Sequence, residues 1–387
     1  MTAVLREVLL EHDGTTLHTI SRAPVRDAVP SDNAGLIALT SACPMRGDLT
    51  LRMDRGPDFF ALHRLEGERT HLGVVNHGKQ IVGCIALSER HTYVNGIETT
   101  TGYGGDYKVH PGHRNSGIAD DLMRYAMSRA QSLPPGTPVM ITVLAGNRAM
   151  ERRLSGPRGL ARFEKLATIR THSITVLWKR RLRLPSGVKV TRARWSDLDD
   201  MVELWNRVAP GRQLAPVFDA TSMARMIASA PGLHISSYLL ARGSGGRLLG
   251  FIGLWDQSQL KQMYVDSYSP RMSIVRNCFN ALSPLIGSEP MPQAGEPLRH
   301  RTVYNVCVPS DRADVLRALL VSSHNDLRAA NCSFFNIGLD TRDSLSEATR
   351  GLLAQPTDVN AFITSVGLPA EMEALKALPL HYEIALA

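Results

Sequence analysis

Residues 109–127 read V-H-P-G-H-R-N-S-G-I-A-D-D-L-M-R-Y-A-M, and the fold turns on how this stretch is read. Residues 103–109, leading into it, have the pattern of a strand. Beyond the turn, Ile118, Leu122, Met123, Ala126 and Ala130 recur at helical spacing on one face. Between the two lies R-N-S-G-I-A at 114–119, a tight turn that delivers unpaired backbone N–H groups at a helix start. Such a turn seats an anion, because the first four helical donors have no partner and the helix dipole favours negative charge. Gly117 lets the backbone approach a bulky phosphate, and small Ala119 keeps the next turn open. Arg114 adds a guanidinium fork that matches phosphate oxygens. The stretch is neither the G-x-G-x-x-G dinucleotide fingerprint nor a Walker loop. Taken alone, it also fits an ordinary connection between a strand and a helix.

The whole string, a strand, V-H-P, R-x-x-G-x-A and an amphipathic helix, resembles the acyl-CoA signature of the GNAT acyltransferase superfamily. In that superfamily the R/Q-x-x-G-x-G/A turn holds the pyrophosphate of coenzyme A. The resemblance implies that Arg114, Asn115, Ser116, Gly117, Ile118 and Ala119 cradle the cofactor. It further implies that the backbone at Lys108 and Val109 meets the thioester carbonyl, and that Asn147 opens the next cofactor-side helix. The implied cosubstrate is acetyl-CoA, with no metal.

Composition is consistent with this. A chain of 387 residues with 43% hydrophobic content can fill two or three cores. No run approaches the roughly 18 apolar residues of a membrane span, and the N-terminus does not read as a secretory signal. Cys43, Cys84, Cys278, Cys307 and Cys332 are scattered, without C-x-x-C or metal spacing. A reduced, cytoplasmic protein is expected. The formal charge of +8 is carried by arginine, since only seven of 44 basic residues are lysine. A basic surface suits an anionic cofactor. Without a helix-turn-helix, zinc-finger or RNA-binding signature, nucleic acid is not the expected partner.

The chain repeats itself. V-R-D-A-V-P-S-D-N-A-G-L-I-A-L at 25–39 returns as V-T-R-A-R-W-S-D-L-D-D-M-V-E-L at 190–204, and V-G-C-I-A-L at 82–87 is answered by L-G-F-I-G-L at 249–254. Two ungapped echoes at nearly one offset indicate a duplicated domain. The first phrase reads as a strand, a Ser-Asp cap and a helix burying Leu36, Ile37 and Leu39. An extra strand is expected at 15–20. The expected fold is α/β: two tandem GNAT-like domains, 1–182 and 188–387, each a central mixed β-sheet flanked by helices. In the first, the resemblance places cofactor entry between the fourth and fifth strands. The second copy carries an insertion at 255–300, and its turn, P-S-D-R-A-D at 309–314, lacks glycine. Asp311 and Asp314 put carboxylates where phosphates would sit, so this copy is expected to be degenerate.

The implied reaction is transfer of an acyl group from a thioester to a small-molecule or peptide amine by direct attack. It needs a deprotonated amine, a polarised carbonyl and a stabilised thiolate. Gly104-Gly105 in mid-strand suggests a bulge or a close backbone approach. Asp106 is the candidate base. The tyrosine that serves the family as acid, seven residues after the asparagine, is replaced by Leu154, leaving Tyr103 and Tyr107 as alternatives. Asp54, Asp58, Phe59 and Phe60 lie in the segment that covers the acceptor pocket in relatives. With the tyrosine missing, a non-catalytic acyl-CoA sensor or partner-binding module is the first alternative, and a longer-chain N-acyltransferase the second. Oligomeric state is not legible.

Overall fold

A computed structural model describes residues 24–155, 163–182, 184–330, 332–365 and 372–387; the strand expected at 15–20 lies outside them. The first half runs β1 (Arg26–Asp27), α1 (Asn33–Ser41), β2 (Leu49–Asp54), α2 (Phe60–Glu66), β3 (Arg69–His77), β4 (Gln80–Val94), β5 (Ile97–Val109), α3 (Ile118–Ala130), β6 (Pro138–Leu144), α4 (Arg148–Ser155) and β7 (Glu164–Thr175). The second runs β8 (Lys189–Arg192), α5 (Leu198–Val208), α6 (Ala220–Ser229), β9 (Tyr238–Arg242), β10 (Leu248–Trp255), β11 (Gln262–Tyr268), α7 (Pro270–Ile286), β12 (His300–Cys307), α8 (Ala313–Ala329), β13 (Phe334–Asp340) and β14 (Ala354–Ser365).

The repeated phrase builds the same local structure twice. The Asp32 carboxylate accepts the Val29 N–H at 2.8 Å, and Asp197 accepts that of Arg194 at 2.8 Å. Each bond satisfies a donor ahead of a helix and fixes the chain's entry angle. α1 then buries Leu36, Leu39 and Thr40, with Ile37 half-buried, and α5 buries Met201, Leu204 and Trp205.

Among the described residues, twelve strands form one mixed sheet in the order β1-β3-β4-β5-β6-β14-β7-β13-β12-β10-β9-β8. The halves exchange their last strands. β14 of the second half lies between β6 and β7, and β7 of the first lies between β14 and β13. A boundary near 182–188 therefore separates the two copies along the chain but not in the sheet. The 255–300 insertion links the halves again, since β11 pairs antiparallel with β2 in a separate two-stranded ribbon.

Two irregularities open the first half. β4 and β5 pair from Val94↔Ile97 back to Ala86↔Gly105, then slip to Cys84↔Lys108, leaving a bulge at Asp106 and Tyr107 with Asp106 at φ +45°. The parallel pairing of β5 with β6 covers only Gly102 to Gly104 against Val139 to Ile141. Beyond it the strands part, although β5 continues to Val109. The second half repeats both features: β10 and β12 slip between Phe251↔Cys307 and Gly253↔Tyr304, and Asn305 sits at φ +49°.

Candidate active site

The turn after β5 is built as the sequence expects. Gly117 caps α3 at φ +83°, a left-handed conformation that a side chain would strain. The carbonyl of Gly117 accepts from Asp120 and Asp121, while among the described residues the N–H groups of 114–119 find no acceptor. Arg114 is exposed beside them. The Ser116 hydroxyl donates to the His113 carbonyl at 2.6 Å, and the Tyr107 hydroxyl to the Ala119 carbonyl at 2.6 Å, pinning the turn at both ends. The result is a row of free donors at the positive end of α3.

Where β5 and β6 part, a cavity of about 370 Å³ opens, lined on the β5 side by residues 103–108 and on the β6 side by residues 141–144. Asn147 and Met150 of the α4 segment close one flank, with Met45, Met53 and Leu62 on the other. The His110 N–H donates to Val82 on β4 at 2.8 Å. Successive strand amides point in opposite directions, so the Val109 N–H faces the gap.

Asp106 sits at the cavity floor under three partners. The Arg55 guanidinium lies 3.1 Å from Oδ2, His63 Nε2 lies 2.8 Å from the same oxygen, and the Lys108 ammonium holds Oδ1. Burial alone would raise the Asp106 pKa, but the charges of Lys108 and Arg55 and the His63 bond outweigh it and hold the carboxyl well below the usual range. A carboxylate so held has little affinity for a proton. Lys108 is pushed the other way: burial works to lower its pKa, yet Asp106 raises it.

The sequence did not single out Arg55, His63, Glu66 or Lys261. All but His63 line the cavity. Glu66 is buried and accepts the Ser88 hydroxyl at 2.9 Å; together with Tyr103 it also lines a second cavity, of about 250 Å³, between the halves. Lys261 arrives from the second half, its Nζ donating to the main-chain oxygens of Ala387 at 3.0 Å and Ile384 at 3.4 Å. Burial pushes its ammonium down to about 8, and nearby Arg55 adds to the push.

The other expected positions divide. Tyr103 and Tyr107 line the cavity, but both hydroxyls are engaged, Tyr103 with Thr142 Oγ1 at 3.0 Å. Burial raises both, Tyr107 to about 12. Leu154 is core, packed with Met123, Ile141 and Val143. The structure does not bring Asp54, Asp58, Phe59 or Phe60 to the cavity. Asp54 binds the Gly56 N–H at 2.8 Å, Asp58 caps α2 through Phe60 N–H at 2.9 Å, and Phe59 is fully buried against α1. Phe60 is half-buried against the same cluster. Local turn chemistry claims the two aspartates and core packing the two rings, so Arg55 alone of this segment reaches the cavity.

The corresponding turn of the second half is closed. Pro309 has no N–H, the Arg312 N–H folds back onto the Pro309 carbonyl at 2.9 Å, and the Ser344 hydroxyl occupies the Ser310 carbonyl. Arg312 is spent on Asp314 at 2.9 Å, and a buried Arg212–Asp343 pair fills the space beneath. A cavity of about 480 Å³, larger than that of the first half, does lie beside this turn. Its donors are interrupted by Pro309 and by the engaged Arg312 N–H, the Asp314 carboxylate stands at the helix start, and Arg207, on the cavity wall, pairs with Glu203 at 3.2 Å. A carboxylate at the helix start competes with any incoming anion.

Residues 36–153 match the family model described as the acetyltransferase (GNAT) family. The match spans α1 through most of α4 and includes the turn and both walls of the first cavity. No curated protein matches the chain by sequence. Among solved structures, a GCN5-related N-acetyltransferase from Sphaerobacter thermophilus is similar over 89% of this chain and 96% of its own, at 17% identity and a TM-score of 0.57. N-myristoyltransferase of Saccharomyces cerevisiae, solved with bound myristoyl-CoA, is similar over 98% of this chain and 90% of its own, at 12% identity and a TM-score of 0.59. At these identities the likeness is one of fold. Among the described residues no cluster of side chains could hold a metal ion, and no helix is long and apolar enough to cross a membrane.

Proposed function

On the premise that residues 36–153 are a GNAT-family acyltransferase domain, we propose that this protein transfers an acyl group from acyl-CoA to a small-molecule or peptide amine, with acetyl-CoA the first donor to try. The observation that carries the reading is the meeting, where β5 and β6 part inside the sheet, of a free donor row, a parted strand pair and a cavity. The pyrophosphate lies on the N–H groups of 115–119 with Arg114 alongside, and the thioester arm runs between β5 and β6. The Val109 N–H then meets the thioester carbonyl and stabilises the oxyanion as the amine attacks.

Proton transfer falls to Lys261 rather than Asp106. With a pKa of about 8, Lys261 holds a substantial neutral fraction near neutral pH. It accepts the proton the attacking amine loses, directly or through one water, and returns it to the departing thiolate. The amine nitrogen gains the acyl carbon, the carbon–sulfur bond breaks, and the thiol leaves protonated. Asp106, bound by Arg55, His63 and Lys108, positions the cavity floor.

Incubating the protein with acetyl-CoA and a panel of amines, and following free thiol, tests this. Saturable CoA binding without thiol release would make the protein a sensor. A second reading, a longer-chain acyltransferase, is favoured by the apolar wall of Met45, Met53, Leu62 and Met150. Release that rises with acyl length would select it.

A further inference from the structure

Helix α7 turns an apolar stripe outward. A surface helix ordinarily turns its apolar stripe to the core and its polar side to water. Among the described side chains of α7 only Ser283 is fully buried. Its inner side is mixed, with Met272, Phe279 and Ile286 half-buried beside two polar groups: Arg276 Nε donates to the Pro292 carbonyl at 3.0 Å, and the Asn280 amide both donates to the Met291 carbonyl at 3.0 Å and accepts its N–H at 2.7 Å. Ile274, Val275, Leu282 and Leu285 follow one another at helical spacing on the outside, with Leu285 84% exposed.

A second exposed apolar group lies at the same corner. The Ser288 hydroxyl, just beyond α7, donates to the Val176 carbonyl at 3.2 Å, next to the segment in which Trp178, Leu182 and Leu184 are exposed. Seven of the thirteen large apolar side chains exposed among the described residues fall in these two segments. Residues 178–184 and 270–286 contain no acidic residue, and among the described ones Lys179, Arg181 and Arg271 are exposed cations.

We infer that α7 and the adjoining exposed side chains Trp178, Lys179, Arg181, Leu182 and Leu184 form a docking surface for an anionic lipid bilayer, on which α7 lies flat. An apolar stripe with a cationic surround and an exposed tryptophan is the chemistry of a helix that rests at the headgroup level. Each exposed Lys or Arg is attracted to a negative surface, an attraction that falls off within a Debye length and weakens with salt. A second copy of the chain fits poorly. A two-fold contact must bury this patch against itself, cation on cation, with no acid inside it to compensate.

Co-sedimentation of the full chain with phosphatidylcholine vesicles, and with vesicles also containing phosphatidylglycerol, tests the inference. Binding is expected to the anionic vesicles only, to weaken with added salt, and to drop at least about tenfold in Leu285→Glu. Exposed Leu285 is not needed for folding, and unchanged CoA affinity of that variant verifies the fold. Trp178→Ala, read in parallel, should weaken binding to a smaller extent. No binding to anionic vesicles, binding unchanged in Leu285→Glu, or a concentration-dependent dimer abolished by Leu285→Glu would each overturn it. Capture of an acidic protein at this face, with no lipid binding, would also overturn it.

Discussion

The turn after β5 and the turn after β12 are the same connection in two copies of one plan, and they have opposite electrostatics. Both follow a strand with a bulge and a positive-φ residue, and both lead into a helix whose first apolar residue packs on a strand glycine, Ile118 on Gly83 and Val315 on Gly250. In the first, the N–H groups of residues 114–119 have no acceptor among the described residues. In the second, Pro309 lacks a donor, the Arg312 N–H folds back onto the Pro309 carbonyl, and Asp314 takes the helix end an anion would need. The bulge differs in the same sense: buried Asp106 is wrapped in cations, whereas buried Asn305 binds the Tyr238 hydroxyl at 2.7 Å. The same architecture thus carries a shorter loop and different side chains at the second turn, and a proposed site at the first belongs to the loop and not to the architecture.

The comparison can be broken most sharply at the bulge. Asp106→Asn gives the first half the residue of the second and leaves Arg55 and Lys108 without their counter-charge. Chemical denaturation should register a loss of about 3–5 kcal/mol. Because the folded pKa of Asp106 is depressed, its contribution is complete above the unfolded pKa and disappears as pH falls through the folded value. The gap between wild type and variant should thus close only in acid, and a gap that is absent at neutral pH refutes the charge network. The counterpart, Asn305→Ala, should cost less, about 1–3 kcal/mol, since it strands a buried hydroxyl rather than two cations.

Next come the turns themselves. Calorimetry of the intact chain should find one CoA, and two equivalent sites would refute the contrast. Gly117→Asp adds strain and a negative charge to the donor row, so affinity should drop at least about tenfold, roughly 1.4 kcal/mol.

Lys261 sharpens the comparison differently, since the second half supplies it to the cavity of the first. If it carries the proton, turnover rises with pH through about 8, and Lys261→Met loses that rise while CoA still binds. Stability has its own sign. A buried lysine with a lowered pKa costs the fold when charged, so Lys261→Met should be the more stable protein below about pH 8, with the difference shrinking as pH climbs toward the unfolded value of about 10.4. The smallest effect is expected at the closed turn, where Asp311→Ala should leave CoA affinity within about twofold; a larger change would mean the second turn takes part in binding.

The readable parts of the sequence were local. The 109–127 string contains strand, turn and helix within one window, and the two halves echo each other because Asp32 and Asp197 make the same bond three residues back. What escaped was whatever depends on partners far apart in the chain. Periodicity marks 164–175 as a strand without saying that its neighbours are 334–340 and 354–365. Arg55 and His63 meet Asp106 across about fifty residues, and Lys261 reaches the same cavity from across the boundary. The segment D-R-G-P-D-F-F pointed at the right place but promoted the wrong members, because burial of Phe59 turns the arginine, not the aspartates, inward.

The exchanged strands set a timetable for the chain as it is made. β6 forms one wall of the cavity, and its outer neighbour, β14, is not translated until residues 354–365 leave the ribosome. Until then the first half has its donor turn but an open edge strand beside the cavity, exposed to pairing with any other chain. A nascent chain stalled before that point has its turn but not a finished cavity. The second half, deprived of β7, would carry the same defect from the other side. Each half therefore depends on a strand supplied by the other.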